Sequence, residues 1–205
     1  MHTIETDLRP LHRLAVLHSV EVVDAVRPSD LDRPTPCAGW TLADLLAHMT
    51  VQHRGFAAAA RGQGADESAW DVATVADTVR ADPAGSYTAA AHDVLDAFAA
   101  DGVMEATFAL PEFGPNATFP GALAIGFHFV DYAVHGWDVA ASMGGRYELP
   151  DDVVTALLPL VMAIPDGDVR DAAAVPFDRA VNASAATDFE KALLHLGRRP
   201  NWRQP

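Results

Sequence analysis

The stretch "GALAIGFHFVDYAVHGWDVAASMGG", residues 121–145, decides the fold. It contains no proline, its apolar residues recur at helical spacing, and it closes on Gly144 and Gly145, so a helix is expected from about Gly121 to Met143. At roughly 100° per residue, Leu123, Phe127, Val130, Val134, Trp137 and Ala141 fall within about 80° of one another. Ile125, Phe129, Tyr132 and Val139 cover much of the opposite side. A helix apolar almost all round belongs in the centre of a bundle. Its exception is one stripe: His128, Asp131, His135 and Asp138, at spacings of 3, 4 and 3, lie in a sector of roughly 80° and stack on successive turns.

Outward from this segment the chain reads as mostly helical. A first helix is expected over about Leu8–Val26, with Pro10 tolerated in its first turn. "LDRPTPCAGW" follows as a rigid connector. The next helix has a legible start in Thr41 as N-cap, Asp44 three residues on, and Trp40 with Leu45 as a hydrophobic staple, and it ends near Arg61. Residues 65–101 suggest a loop and one or two helical pieces broken at "DPAGS", the last over about Ser86–Ala100. "VMEATFALPEFGPNATFPG" is extended or irregular. A helix over about Asp151–Ile164 precedes an aperiodic stretch, and "TDFEKALLHLG" forms a short C-terminal helix with a Thr187–Glu190 capping box. The expected fold is all-α: a four-helix bundle with irregular or short extended connectors, residues 1–205 forming a single domain.

Composition bounds the function. Half of the 205 residues are hydrophobic and a fifth are charged, as in a globular protein. The net charge of −14, with Lys191 the only lysine, argues against nucleic acid as a partner. No apolar run approaches the ~20 residues of a membrane span, and the N-terminus lacks the basic start and apolar block of a secretory signal, so a cytoplasmic location is expected. With one cysteine, Cys37, any metal site must be built from histidines and carboxylates. Cys37 itself sits among prolines without an evident activating base and is read as a packing residue.

Polar groups inside an apolar helix are costly unless each finds a partner, and ionised carboxylates are the costliest. A divalent cation meets that need: Asp131 and His135, at i and i+4, can direct an oxygen and an imidazole nitrogen at one ion. Pairing of each group with a backbone or arginine partner is the structural alternative. A third ligand must come from another helix, and His48 is the best placed, on the shoulder of the Leu42, Leu45, Leu46, Met49 and Phe56 face and one turn before Gln52. His53, within that face, is read as a core histidine, and His2, His12, His18, His92 and His195 as surface or structural residues. Asp138 either orients a ligand histidine or pairs with Arg146, and Trp40 and Trp137 are read as staple and core residues.

"RPTPCAGWTLADLLAHM", "HFVDYAVHGWDVAASMGG" and "LLHLGRRPNW" together resemble the actinobacterial metal-binding proteins of the mycothiol-dependent maleylpyruvate isomerase family, within the DinB-like superfamily, over about Leu14–Trp202. The resemblance implies a DinB-like four-helix bundle and a metal held by His48, Asp131 and His135. It also shows a departure, because the characterised isomerase has Glu where this chain has the shorter Asp131; His128, one turn earlier, is then a reserve ligand. The implied metal is Zn²⁺ first, with Ni²⁺ and Fe²⁺ as alternatives for a two-histidine, one-carboxylate set. The implied activity is a metal-dependent transferase or isomerase that uses mycothiol as a small-molecule thiol against a small electrophile. A non-catalytic metal- or ligand-binding bundle is the alternative, and a homodimer stays open.

Overall fold

The computed structural model describes residues 7–171 and 177–204. Its helices are α1 (Arg9–Val23), α2 (Leu42–Ala60), α3 (Ala73–Ala81), α4 (Pro83–Phe98), α5 (Gly121–Ser142), α6 (Asp151–Met162) and α7 (Asp188–His195). A two-stranded antiparallel hairpin, β1 (Thr107–Ala109) and β2 (Thr118–Pro120), pairs Phe108 with Phe119 just before α5. The fold is the all-α bundle expected: α1 packs on α5 and α4, and α2 on α4 and α5. The fourth member is therefore α4, while α6 and α7 pack on each other, with α6 also lying against α1 and α5. None of the described helices is long and apolar enough to cross a membrane.

Local chemistry sets the boundaries. The Thr41 hydroxyl accepts the Asp44 amide and the Asp44 carboxylate accepts the Thr41 amide, so two otherwise orphaned N–H groups at the start of α2 are satisfied. The break expected at "DPAGS" is present, between Ala81 and Pro83, and α4 starts directly at it: Asp82 caps the Gly85 amide and Pro83 occupies the first turn of α4, where its missing N–H costs nothing. That helix begins three residues earlier than the sequence suggested. At the far end of α5, Gly144 adopts φ +70°, the left-handed conformation that stops the helix.

The connector before α2 is tied down in detail. The Thr35 hydroxyl accepts the Cys37 amide and donates to the Cys37 and Trp40 carbonyls, and the neighbouring Pro34 pairs with Thr41 in an isolated antiparallel bridge. With Gly39 at φ +82°, this turn presents Cys37 and Trp40 to the end of the bundle where His48 and the second half of α5 lie.

The core wraps α5 on three sides. Tyr132 and Val139 join Leu42, Leu45 and Met49 of α2. Val130, Val134 and Trp137 join Val153, Leu157 and Leu193 of α6 and α7. Ala124 and Ile125 join Phe98 and Phe108. Every polar side chain on the remaining stripe of α5 must therefore be satisfied by partners inside the protein.

Candidate metal centre

His48 stands on the shoulder of α2 with a quarter of its side chain exposed, and Asp131 faces it from α5 with a similar opening. His135, one turn beyond Asp131, is almost wholly buried. The closest atoms are His135 Nε2 and Asp131 Oδ1 at 3.3 Å, and His48 Nε2 and Asp131 Oδ2 at 3.9 Å, with the two imidazole rings edge to face at 5.3 Å. One donor atom from each of the three lies within 4.8 Å of the others. Two imidazole nitrogens and a carboxylate converging on one point, open on one side, are a donor set suited to a divalent ion. The three residues expected to come together do so.

His135 is aimed by its other nitrogen. His135 Nδ1 lies 2.9 Å from Asp138 Oδ2, so Nε2 is the atom left for the site. Asp138 is fully buried and takes two bonds from Arg198, from Nε at 3.3 Å to Oδ1 and from Nη2 at 3.1 Å to Oδ2. Arg198 spends its third nitrogen on the Leu196 carbonyl at 3.0 Å. The cation paired with Asp138 is thus Arg198, not Arg146.

Cys37 belongs to the same cluster. Its thiol donates to Asp138 Oδ2 at 3.2 Å, Arg198 Nη2 donates to its sulfur at 3.2 Å, and His135 Nδ1 lies 3.9 Å away. The expectation of a packing cysteine remote from any base is corrected: the ordered connector delivers it beside an acid, a guanidinium and an imidazole. Cys37, His135 and Asp138 form a second group with donor atoms within ligand reach of one another.

Burial and charge divide these groups sharply. Burial opposes a charge on His135, but the carboxylates of Asp131 and Asp138 on either side overcome it and hold its imidazolium well above the ordinary histidine range. Burial likewise opposes ionisation of Asp138, yet Arg198 and His135 bring it down to about 2. Asp131 is lowered against its own burial by His135 and His48. His48 is driven by burial down to about 4, leaving a neutral imidazole with a lone pair to offer.

His128 does not face this centre, and its expected role as reserve ligand is corrected. Its Nδ1 is 2.8 Å from His12 Nε2 and its Nε2 is 3.2 Å from His53 Nδ1, so both nitrogens are committed within a buried chain of three imidazoles. Its ring stacks on Tyr132, as does that of His53. Burial depresses the basicity of all three, His12 to about 3. His12, expected at the surface or in a structural role, is 1% exposed. His53 is the core histidine expected, although its Nε2 has no hydrogen-bond partner among the described residues. His195 bonds to the Ile164 carbonyl and Arg170, and His18 lies near Glu21, whereas His2 falls outside the described residues.

Three residues near the mouth of the site were given no part in it by the sequence. Trp40 is 38% exposed, and its ring lies 5.0 Å from that of His48 rather than in the core. Gln52, one turn after His48, donates to Glu112 Oε2 at 2.9 Å, bringing the hairpin loop to the crevice. Glu112 is exposed as a residue, yet the loss of hydration around its carboxyl raises it to about 7, with the Gln52 bond working against this and the charge of Asp131 adding to it.

A four-helix bundle of the DinB-like type, with two histidines and a carboxylate gathered between two of its helices, is the class of protein that fold and site define. Residues 13–140 match the family described as the mycothiol maleylpyruvate isomerase N-terminal domain, and the chain belongs to that family. Two uncharacterised proteins of Mycobacterium tuberculosis, from strains CDC 1551 / Oshkosh and ATCC 25618 / H37Rv, are each 31% identical over 140 residues, 68% of this chain and 69% of theirs. Among solved structures, the crystal structure of the mycothiol-dependent maleylpyruvate isomerase aligns with a TM-score of 0.58 at 14% identity, covering 77% of this chain and 69% of that one. A histidine-to-alanine mutant of that enzyme aligns at 0.55 and 12% with the same coverage. At such identities the likeness to these structures is one of fold.

Proposed function

We propose that this protein is a metal-dependent transferase or isomerase that uses mycothiol against a small electrophile, with His48, Asp131 and His135 holding the ion. The observation that carries the proposal is the convergence of these three donors at a partly open crevice, in a chain of a family named for a mycothiol-dependent isomerase. A Zn²⁺-type ion held there supplies Lewis acidity that brings the pKa of a thiol or water toward neutrality. The residues do the rest. Asp138 fixes the ring of His135 through Nδ1, Arg198 keeps Asp138 ionised, and neutral His48 offers Nε2 without first losing a proton. The half-open position of His48 and Asp131 admits the thiol and the electrophile from one side.

In the isomerase form of the reaction, the thiolate sulfur forms a C–S bond to one alkene carbon and the π pair moves onto the conjugated acceptor. Rotation about the resulting single bond is followed by return of that pair, re-formation of the double bond, and departure of sulfur with the C–S pair. Nothing is oxidised or reduced, and the thiol is regenerated. Retention of the adduct after protonation gives the transferase form.

Elemental analysis of untagged protein, alongside His48→Ala and His135→Ala, tests the site. Near-stoichiometric metal in the native protein and its loss from both variants is expected; a native protein that stays empty after addition of Zn²⁺ or Ni²⁺ refutes it. Mixing the loaded protein with mycothiol and an electrophile panel tests the reaction, and binding without turnover would make the protein a metal- or ligand-binding bundle instead.

A further inference from the structure

A cavity of about 400 Å³ lies between α7 and two segments that flank it, residues 181–184 and 199–203, and no residue of the metal centre lines it. Its volume is within the range typical of small-molecule sites. Both walls are fastened to the end of α7: the Val181 amide donates to the Leu194 carbonyl at 2.8 Å, and the Arg198 amide to the Leu193 carbonyl at 2.9 Å. The second wall is a turn closed by the Trp202 amide on the Arg199 carbonyl at 2.8 Å, and Trp202 packs against the core of α6 and α7. Backbone bonds therefore hold the cavity in shape, and side chains decide what it takes.

The second wall brings two guanidiniums to it, those of Arg199 and Arg203. Neither has a carboxylate partner among the described residues, whereas Arg61, Arg179, Lys191 and Arg198 each have one. Arg203 gives Nη1 to the Trp202 carbonyl at 3.2 Å. In a chain with 28 acids against 14 Lys and Arg, the protein's own carboxylates were available to pair with both and do not. Glu190 also lines the cavity, but its Oε2 is held by the Ala186 amide at the start of α7. Two guanidiniums and one carboxylate leave a single positive charge, which one anionic group balances. The planar fork of an arginine fits a carboxylate, and two of them at one cavity give that group more than one pair of donors. Val181, Leu194 and Pro200 supply apolar lining, which a bare inorganic anion does not use.

We infer that this cavity is a binding site for a small aliphatic monocarboxylate, its carboxylate taken by Arg199 and Arg203 and its carbon chain covered by Val181, Leu194 and Pro200. The site is separate from the metal centre and does not depend on the thiol-transfer reading.

Amide NMR of the full chain, titrated separately with butyrate, acetate, butyramide and inorganic phosphate, tests it. Butyrate is expected to shift the amides of residues 181–184 and 199–203 along one saturable curve. It should bind about tenfold more tightly than acetate, because two more methylene groups leave water. Butyramide and phosphate should each bind severalfold more weakly than butyrate. Arg199→Gln and Arg203→Gln, both at exposed positions, should each weaken butyrate severalfold without lowering the melting temperature, whereas Arg80→Gln on α3 should leave it unchanged. No saturable shift at these residues, shifts confined to the surroundings of His48 and Asp131, butyramide or phosphate binding as tightly as butyrate, or indifference to both substitutions overturns the inference.

Discussion

Acidification should unfold this protein through the buried imidazole chain. His12, His53 and His128 are held neutral by burial, so between the folded and unfolded values of each pKa the unfolded chain binds a proton that the folded chain refuses. Stability is then complete above about pH 6.5, the unfolded histidine value, and falls as pH drops below it. For His12, whose folded value is about 3, the loss at pH 5 is about 2 kcal/mol relative to pH 8. His53 and His128 act in the same direction, as does His48. Glu112, raised rather than lowered, partly opposes them in this window, and His135 changes stability only above the ordinary histidine range. The loss of about 2 kcal/mol from His12 alone is a sizeable part of the ~5–15 kcal/mol that holds a typical domain folded. Urea unfolding from pH 8 to pH 4.5, on native protein and His12→Gln, measures it. Glutamine can still bond to His128 but does not titrate here, so its curve should be flatter by about 2 kcal/mol across pH 8 to 5. Parallel curves would refute the assignment of a neutral, buried His12, as would imidazole ¹⁵N shifts that titrate near the ordinary histidine pKa.

Two further perturbations address the packing of the site and of α2. Arg198→Met leaves Asp138 buried without its cation; zinc affinity measured against a competing chelator should fall about 10- to 100-fold, with Arg198→Lys recovering part of it, and an unchanged affinity would disconnect Arg198 from His135. Gly55→Ala places a methyl group in the ring of Trp70, which packs across α2, and should cost about 1–3 kcal/mol as read by thermal unfolding; an unchanged melting temperature would show that the Glu67–Trp70 turn yields freely.

The legible parts of this chain were those where the signal is local. Thr41 and Asp44 announce the start of α2 within four residues, and Gly144 ends α5 because the left-handed turn there suits glycine. Spacing alone also placed Asp131 and His135 on one face, and the shoulder position of His48 aimed it at the same crevice. Pro83 correctly marked the break between α3 and α4, but the start of α4 was placed three residues late, because proline marks a break and a helix start alike and only the Asp82 cap shows both fall together here. His128 shares the stripe on the helical wheel, but a projection of one helix does not show which neighbours fill each edge. That edge turns toward His12 of α1 and His53 of α2. Cys37 and Arg198 lie 101 and 60 residues from Asp138, beyond any spacing rule. The usable signal was energetic: a buried Asp138 demands a cation, and an arginine from a distant segment was the group to seek.

The polar stripe of α5 thus separates into two electrostatic regimes, and their order follows from what each can satisfy. Neutral imidazoles need only one another's N–H groups and lone pairs, so His128 can lie deep between α1 and α2, enclosed by Tyr132, Phe56 and Phe98. Carboxylates need positive charge, so Asp131 and Asp138 occupy the half of the helix that histidines and an arginine can reach. The arginine arrives from the segment after α7, where Gly197, at φ +81° and tight against Asp178 and Arg179, turns the chain so that Arg198 enters the interior. That segment lies beyond the matched residues 13–140. The orientation of His135 is therefore set partly from outside the family's defining region, through a carboxylate that would be too costly to bury without it. Divergence among relatives in the C-terminal segment would then tune the site without touching His48, Asp131 or His135.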